Sequence, residues 1–583
     1  MLSYGVKMLG TSLGTELMGL GVLFICAIIG GIIASRFRQP AVFGLLLVGA
    51  LIGPSALNLI PDEKMVHTMA EFGAILMLFI IGLEFDISKL IKMGVRTLLL
   101  GLLKFAILLF MGFEIAQILG FNTQVAMFIG VILSFGGTVV IMKVLEQKSM
   151  VHRKEVPLLI GILIIEDILA VFAITFFSGV QVHSLSLIQT FEKIGLAILI
   201  LIATYLFLMK FLRKAVLLIQ KNNNDDAVYT YLSLGVGALL SYFAYSIGLT
   251  PTAGAFLAGS LIASLPSAKE YGKAIHPYGL IFTSIFFISM GTMVSFEAVK
   301  ANALVIFALL LTVIVGNFIA IGFLTYILAS FRHEQPFFAS IAMVSLGEFS
   351  LLIANEGQKL SLGVDLVSIT AAVIFISALV MSMGLNLSSK LYDSTKNIFP
   401  TSMKIKLDKL SEYFRRFFDQ LEIENHSTKK LSYQSKRLFI LMIAEVAIFF
   451  VLRRAASLII WNAALYSFYA LSIILFSYLS YLVYRRLRAI IMTMSIILTD
   501  VGSSGNLKKC NSILNCLFLS VLMIFGATLF PFAMFLFRLN GFANIIPFLA
   551  LLMGAYFIKN AIGLIHGTRQ HTGLPAAFSF AEA

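Results

Sequence analysis

Glu166 and Asp167 are adjacent carboxylates inside the apolar run from Pro157 to Phe177. An ionisable group at bilayer depth costs about 2.5–3.5 kcal/mol on insertion scales and more by simulation, so a pair there implies a task. Asp167 lies ten residues from each end of the run, and at about 1.5 Å per helical residue that puts it about 15 Å from either surface, at the midplane. A carboxylate at that depth holds a proton when neutral or a desolvated monovalent cation when ionised, hardly both together. That competition alone couples the two ligands. The alternative is a carboxylate buried against a basic partner for packing. Glu166 points about 100° around the helix from Asp167, so one of the pair carries and the other supports. For Glu166, a second proton site and a structural partner of an intramembrane donor both stay open.

Two other apolar runs contain breaks. In Leu133-Ser134-Phe135-Gly136-Gly137-Thr138, two glycines sit beside hydroxyls at mid-depth. An unwound helix there would offer carbonyls and a half-helix end to an ion. Ser345-Leu346-Gly347-Glu348-Phe349-Ser350 repeats the pattern with a further carboxylate. Close helix packing is the commoner use of such glycines. The two runs are seven apart in the chain's series of apolar runs, the spacing expected if two inverted six-helix units flank a linker helix.

The elements that must position these groups are membrane helices. Hydrophobic residues make up 59% of the 583 positions and charged residues 12%. Apolar runs are continuous and close to about 20 residues, so the spanning structure is helical rather than a barrel. The predicted fold class is an all-α polytopic membrane protein. About thirteen spans precede residue 392, near 13–35, 41–60, 67–83, 97–119, 124–144, 156–177, 187–209, 228–247, 251–264, 278–295, 302–330, 337–355 and 364–388. The net charge of +14 comes from basic residues in the short connections, so it reports orientation rather than a nucleic-acid partner. Arg36, Arg38, Lys89, Lys92, Arg96, Lys148, Arg153, Lys154, Arg213, Lys214, Lys221, Lys269, Lys273 and Arg332 fall on one side, against Lys64, Lys300 and Lys359 on the other. The expectation is a cell-membrane protein with its amino terminus outside and the region near residue 400 cytoplasmic. The first run, preceded by Lys7 with no small-residue cleavage site after it, reads as a retained helix.

Residues 1–392 therefore form a transmembrane domain. Residues 393–436, with Lys404, Lys406, Lys409, Arg415 and Arg416 interleaved with Leu407, Leu410, Phe414 and Phe417, read as a basic amphipathic linker on the inner leaflet. Residues 437–583 add about four further apolar runs, near 438–460, 462–483, 511–537 and 542–565, a second membrane module of unknown role. Cys26, Cys510 and Cys516 lack pairing or zinc spacing, and His152, His276 and His333 read as solvated connection residues. No nucleophile–base pair or water-facing metal cluster argues for an enzyme, and no cofactor is expected.

Seven stretches together resemble the second branch of the monovalent cation:proton antiporters, which includes bacterial sodium/proton exchangers and glutathione-gated potassium efflux systems. They are PAVFGLLLVGALIGP (40–54), EFGAILMLFIIGLEFD (71–86), LSFGGTVVIMKVLEQK (133–148), IEDILAVFAI (165–174), TAGAFLAGSLIAS (252–264), FFISMGTMV (286–294) and LGEFSLLIANEG (346–357). They follow the family's order across about residues 15–390. The resemblance implies a thirteen-span inverted-repeat fold with crossed, broken helices, a dimer-forming panel and a mobile core. It implies that Asp167 is the ion- and proton-carrying aspartate, with Thr138 beside it, working by elevator-like alternating access in a homodimer.

Three departures matter. Glu-Asp stands where many relatives have Asp-Asp, Asn-Asp or Gln-Asp. Asn317 stands in the eleventh span where the family's acid-pairing lysine would align, which leaves Glu166 protonated or paired elsewhere. Lys104 is a candidate substitute, although a lysine about eight residues inside a span more often snorkels to the surface. The soluble nucleotide-binding domain of the potassium efflux relatives has no counterpart. Gly235-Val236-Gly237 lies in a membrane run, where it serves packing, so no nucleotide or glutathione gating is expected. The predicted function is antiport of a monovalent cation for H⁺, with sodium favoured over potassium on the carboxylate pair. The competing class is a channel-like potassium efflux pathway or a non-transporting cation sensor on the same fold.

Overall fold

The computed structural model describes residues 21–36, 40–59, 63–84, 94–179, 226–247, 249–265, 268–360, 362–395 and 545–566, with scattered positions between. Among the described residues the secondary structure is helical, with one isolated antiparallel bridge. Gly94–Ile118, Val156–Phe177, Ala227–Ser246, Ala268–Thr292, Ala303–Leu328 and Leu366–Leu385 are long and apolar enough to cross a membrane. Shorter apolar helices stand beside them: α1 (Gly21–Arg36), α2 (Ala41–Ile52) and others given below. The expected span near 187–209, most of the linker at 393–436 and the runs near 438–460, 462–483 and 511–537 lie largely outside the described residues.

Two compact units divide the chain: residues 1–323 with 333–392, and residues 324–332 with 393–583. In the first, one group of helices comprises α2, α3 (Glu63–Glu84), α8 (Asp226–Ser246), α9 (Pro251–Ala263) and α10 (Ala268–Thr292). Helix α3 packs on α9 and α10, α8 on α9, and α2 on α10. Lipid offers apolar side chains no hydrophobic gain from association, so these contacts rely on close packing through small residues. A methyl added at Gly49 of α2 would lie 2.9 Å from Cα of Gly291 in α10. Gly237 of α8 faces the Phe79 ring, which fits the packing role expected of it, whereas a methyl on Gly235 would meet nothing within 4 Å.

A second group holds the carboxylates. It contains α4 (Gly94–Ile118), α5 (Thr123–Leu133), α6 (Thr138–Gln147) and α7 (Val156–Gly179). Later in the chain come α11 (Phe296–Ala301), α12 (Ala303–Asn317), a π-helical turn at Phe318–Phe323, and α13 (Leu324–Leu328), which belongs to the second unit. Helices α14 (Gln335–Ala342), α15 (Glu348–Lys359), α16 (Leu366–Leu385) and α17 (Ser388–Thr395) follow. Helix α4 packs on α5, α7 and α12, while α15 packs on α5, α7 and α16. The starts are written locally: the Asn122 side chain accepts the Val125 N–H at 2.8 Å to cap α5, and Asp365 accepts that of Ser368 at 2.9 Å to cap α16. In the second unit α18 (Ile545–His566) falls in the apolar run expected near 542–565.

The runs near 124–144 and 337–355 are each two half-helices, broken at the glycine stretches that the sequence marks. The run near 302–330 contains the π-helical turn, for which the sequence carries no proline to warn.

Candidate functional site: two crossed helix breaks and a carboxylate pair

The non-helical links Ser134–Gly137 and Met343–Gly347 cross each other. Gly136 and Leu346 form the antiparallel bridge, and the Gly137 N–H donates to the Ser345 carbonyl at 2.9 Å. Each break thus satisfies the other's backbone, which hydrocarbon would leave unpaired. Glycine is demanded by proximity: a methyl on Gly347 would overlap Cα of Gly137, and one on Gly137 would sit 2.6 Å from the Leu346 carbonyl oxygen. Hydroxyls take up remaining groups. Ser350 donates to the Ile132 carbonyl at 2.7 Å, and the Leu346 N–H donates to the Ser377 hydroxyl at 3.3 Å. Ser350 belongs to the stretch read from sequence as a break, whereas Ser377, in the middle of α16, carries no local signal and meets the break only through packing.

Glu166 and Asp167 stand on α7 in different surroundings. Glu166 is fully buried. One of its oxygens lies 2.6 Å from the Lys104 Nζ of α4, and the other accepts the Gly136 N–H at 2.9 Å. Lys104 is likewise buried, at 1% exposure. It therefore does not snorkel. Ten residues beyond Gly94, it lies about 15 Å along its helix, farther than its stem can reach back to the surface. Gly101, one turn earlier, lets α4 approach α7: a methyl there would lie 2.9 Å from Ile165. Glu166 thus finds its cation on the fourth apolar run rather than the eleventh. Removing either member of such a pair leaves an uncompensated charge, whereas the pair itself contributes little.

Asp167 is half-buried, and the Thr138 hydroxyl reaches both its oxygens, at 3.0 and 3.2 Å. Thr138 is the first residue of α6, so Asp167 faces the N-terminal end of a half-helix, where the peptide dipole favours negative charge. The other sequence-chosen residues spread around the crossing. The buried Ser134 hydroxyl donates to the Gly130 carbonyl at 2.7 Å, and that of Ser345 to the Leu346 carbonyl at 3.2 Å. Glu348, 4% exposed, opens α15 beside the Gly137–Gly347 contact. Asn317, 1% exposed, closes α12 where the π-helical turn begins, and its amide donates to Val313 at 2.9 Å.

Outside the spans, Arg153 follows α6 and pairs with Glu334 at 2.8 Å and Glu155 at 3.4 Å while covering the Phe338 ring. Partial burial works against its charge, but the hydrogen bonds and charges of Glu155 and Glu334 outweigh it and hold the guanidinium above its ordinary range. The connection after one broken helix is thereby tied to the start of the other.

Crossed half-helices packed around a buried carboxylate pair, among helices apolar and long enough to cross a membrane, define a class of membrane protein that known proteins narrow. Residues 22–388 match the family model described as sodium/hydrogen exchanger, transmembrane. The chain belongs to that family of monovalent cation:proton antiporters. It is 29% identical over 350 residues to a Na⁺/H⁺ antiporter of Enterococcus hirae, covering 58% of this chain and 89% of the relative. It is 27% identical over 349 residues to K⁺ efflux antiporter 5 of Arabidopsis thaliana, covering 58% of this chain and 60% of the relative's length. The solved sodium proton antiporter MjNhaP1 of Methanocaldococcus jannaschii shares the fold at a TM-score of 0.50 and 19% identity, over 65% of this chain and 98% of that one.

Proposed function

We infer that the chain exchanges a monovalent cation for H⁺ by alternating access, with Asp167 binding the two in turn. The carrying observation is the asymmetry of the pair. Glu166 is sealed between Lys104 and the Gly136 N–H, whereas the neighbouring Asp167 is half-buried against the hydroxyl of Thr138. With either ligand bound, Asp167 is neutral and can change sides of the membrane cheaply; empty, it carries a charge whose transfer through a low-dielectric core is costly. Coupling follows, because the side chain crosses only when loaded. Thr138, carbonyls of the Ser134–Gly137 break and the half-helix end supply further oxygen and dipole for a dehydrated cation. Glu166, Ser134, Ser345, Glu348 and Asn317 support the crossing.

Sodium is the favoured cation, as in the Enterococcus relative's description, and potassium, as in the Arabidopsis relative's, is the second. The protein would act as a homodimer in the cell membrane, amino terminus outside. Proton movement in vesicles holding the full chain tests this, with sodium, potassium and lithium added separately. The wild type should move protons against at least one cation and Asp167→Asn against none. Full exchange by Asp167→Asn would remove Asp167 from the role, and cation current without opposed proton movement would make the protein a channel.

A further inference from the structure

The segment after the exchanger domain grips the connection between α13 and α14. Asp408 accepts from the Tyr326 hydroxyl at 2.5 Å and from Arg332 Nη1 at 2.6 Å, and the Arg332 guanidinium lies over the Tyr326 ring at 4.8 Å. The buried Ser411 hydroxyl, one turn on, donates to the Tyr326 carbonyl at 2.8 Å and lies 3.4 Å from that of Ser330. These contacts place residues 324–332 in one compact unit with everything after 392, although α12 and the π-helical turn just before them belong to the exchanger unit.

The gripped connection is strained. Ser330 and His333 hold φ of +56° and +54°, a left-handed backbone unfavourable for residues other than glycine. Ser330 is met by Ser411, and His333 lies 3.4 Å from the Tyr392 hydroxyl of α17. Tyr392 also stacks edge-on against Phe337 of α14, whose ring meets Phe318 of the π-helical turn in the same way. Non-glycine residues persist in such a conformation when their surroundings over-determine it. For Ser330 a neighbour comes from the chain that follows the exchanger helices, through Ser411, whereas His333 meets Tyr392 of the exchanger unit itself.

We propose that the Asp408 bracket on Tyr326 and Arg332 is a brake, through which the carboxy-terminal module restrains the helix pair α12–α13 and limits the exchange rate. The inference rests on the exchange reading above. If alternating access moves α12, the anchor at the end of the pair, held by the chain after residue 392, has to yield before it does. The bracket touches no residue of the Asp167 site, so releasing it acts on the rate of the conformational step and leaves cation binding alone.

Full-length protein in liposomes, assayed by lumenal pH change against sodium and against potassium, tests this with Asp408→Asn and Tyr326→Phe. An exposed ionic bracket of this kind corresponds to a rise in maximal rate of about two- to fivefold for Asp408→Asn. The half-saturating cation concentration should stay within about twofold, since binding is untouched. Tyr326→Phe, which removes one hydroxyl, should be faster than wild type, and the double variant no faster than Asp408→Asn, because both act on one contact. Unchanged or slower maximal rates in a variant that melts like wild type would overturn the brake, as would a change confined to half-saturation. Tyr326→Phe decides alone if Asp408→Asn does not fold. A wild type without exchange would instead bring down the Asp167 reading.

Discussion

At the scale of single residues, two carboxylates one position apart stand in different surroundings because of what the neighbouring helices bring to them. Glu166 meets a lysine and a backbone N–H; Asp167 meets a hydroxyl. Lys104→Met should therefore destabilise the protein by about 3–5 kcal/mol, the penalty of leaving a buried partner uncompensated. Lys104→Met combined with Glu166→Gln should recover most of that loss, because no charge is then stranded. Thermal unfolding in detergent reads both, and a double variant as unstable as the single one would show that the lysine stem, not its charge, matters. Thr138→Val removes the hydroxyl facing Asp167. A hydrogen bond to a charged group is worth about 1.5–3 kcal/mol, so half-saturation for the cation should rise at least about tenfold, while Thr138→Ser stays close to wild type.

At the scale of elements, the crossing is a joint between two broken helices, and its glycines are legible for a different reason from its carboxylates. Gly136-Gly137 and Gly347 stand beside hydroxyls inside runs otherwise suited to unbroken helices, so both breaks could be read from sequence at their actual positions. Asp167 and Thr138 could be paired only through resemblance, because residues 29 apart meet by tertiary packing. Lys104 was visible as an intramembrane cation, but its pairing depends on the close approach at Gly101, which periodicity does not encode. The π-helical turn after Asn317 went unread, since Phe-Ile-Ala-Ile-Gly-Phe suits an α-helix equally well. Gly347→Ala tests the joint. Its methyl would overlap Gly137 Cα, where backbone meets backbone and neither can rotate away, so exchange should be lost and the melting temperature should fall. Gly235→Ala, with nothing within 4 Å of the added methyl, should behave as wild type. Equal tolerance of both substitutions in vesicle exchange would mean that the crossing opens far more easily than its packing suggests.

Across the whole molecule, the distribution of charge carries the expected orientation. Lysine and arginine cluster in alternate connections, and such a bias is set at insertion, when basic segments resist translocation. Arg153 and Glu334 add a structural consequence, because the connections after α6 and before α14 are joined by an ion pair and must therefore lie on one side of the membrane. Lys154 lies in the first of these connections and Lys300 in α11, and both side chains are exposed. With the three native cysteines replaced, Lys154→Cys in intact cells should resist a membrane-impermeant thiol reagent until the cells are opened, whereas Lys300→Cys should react at once. The reverse pattern would invert the topology and put Arg153, Glu334 and Arg332 outside. It would also move the Asp408 bracket to the outer face, away from the anionic inner leaflet that the basic residues between 404 and 416 are suited to meet. Labelling both sites from outside in sealed cells would break the alternation itself, because an even number of crossings would then separate residues 154 and 300 where the apolar runs require an odd one.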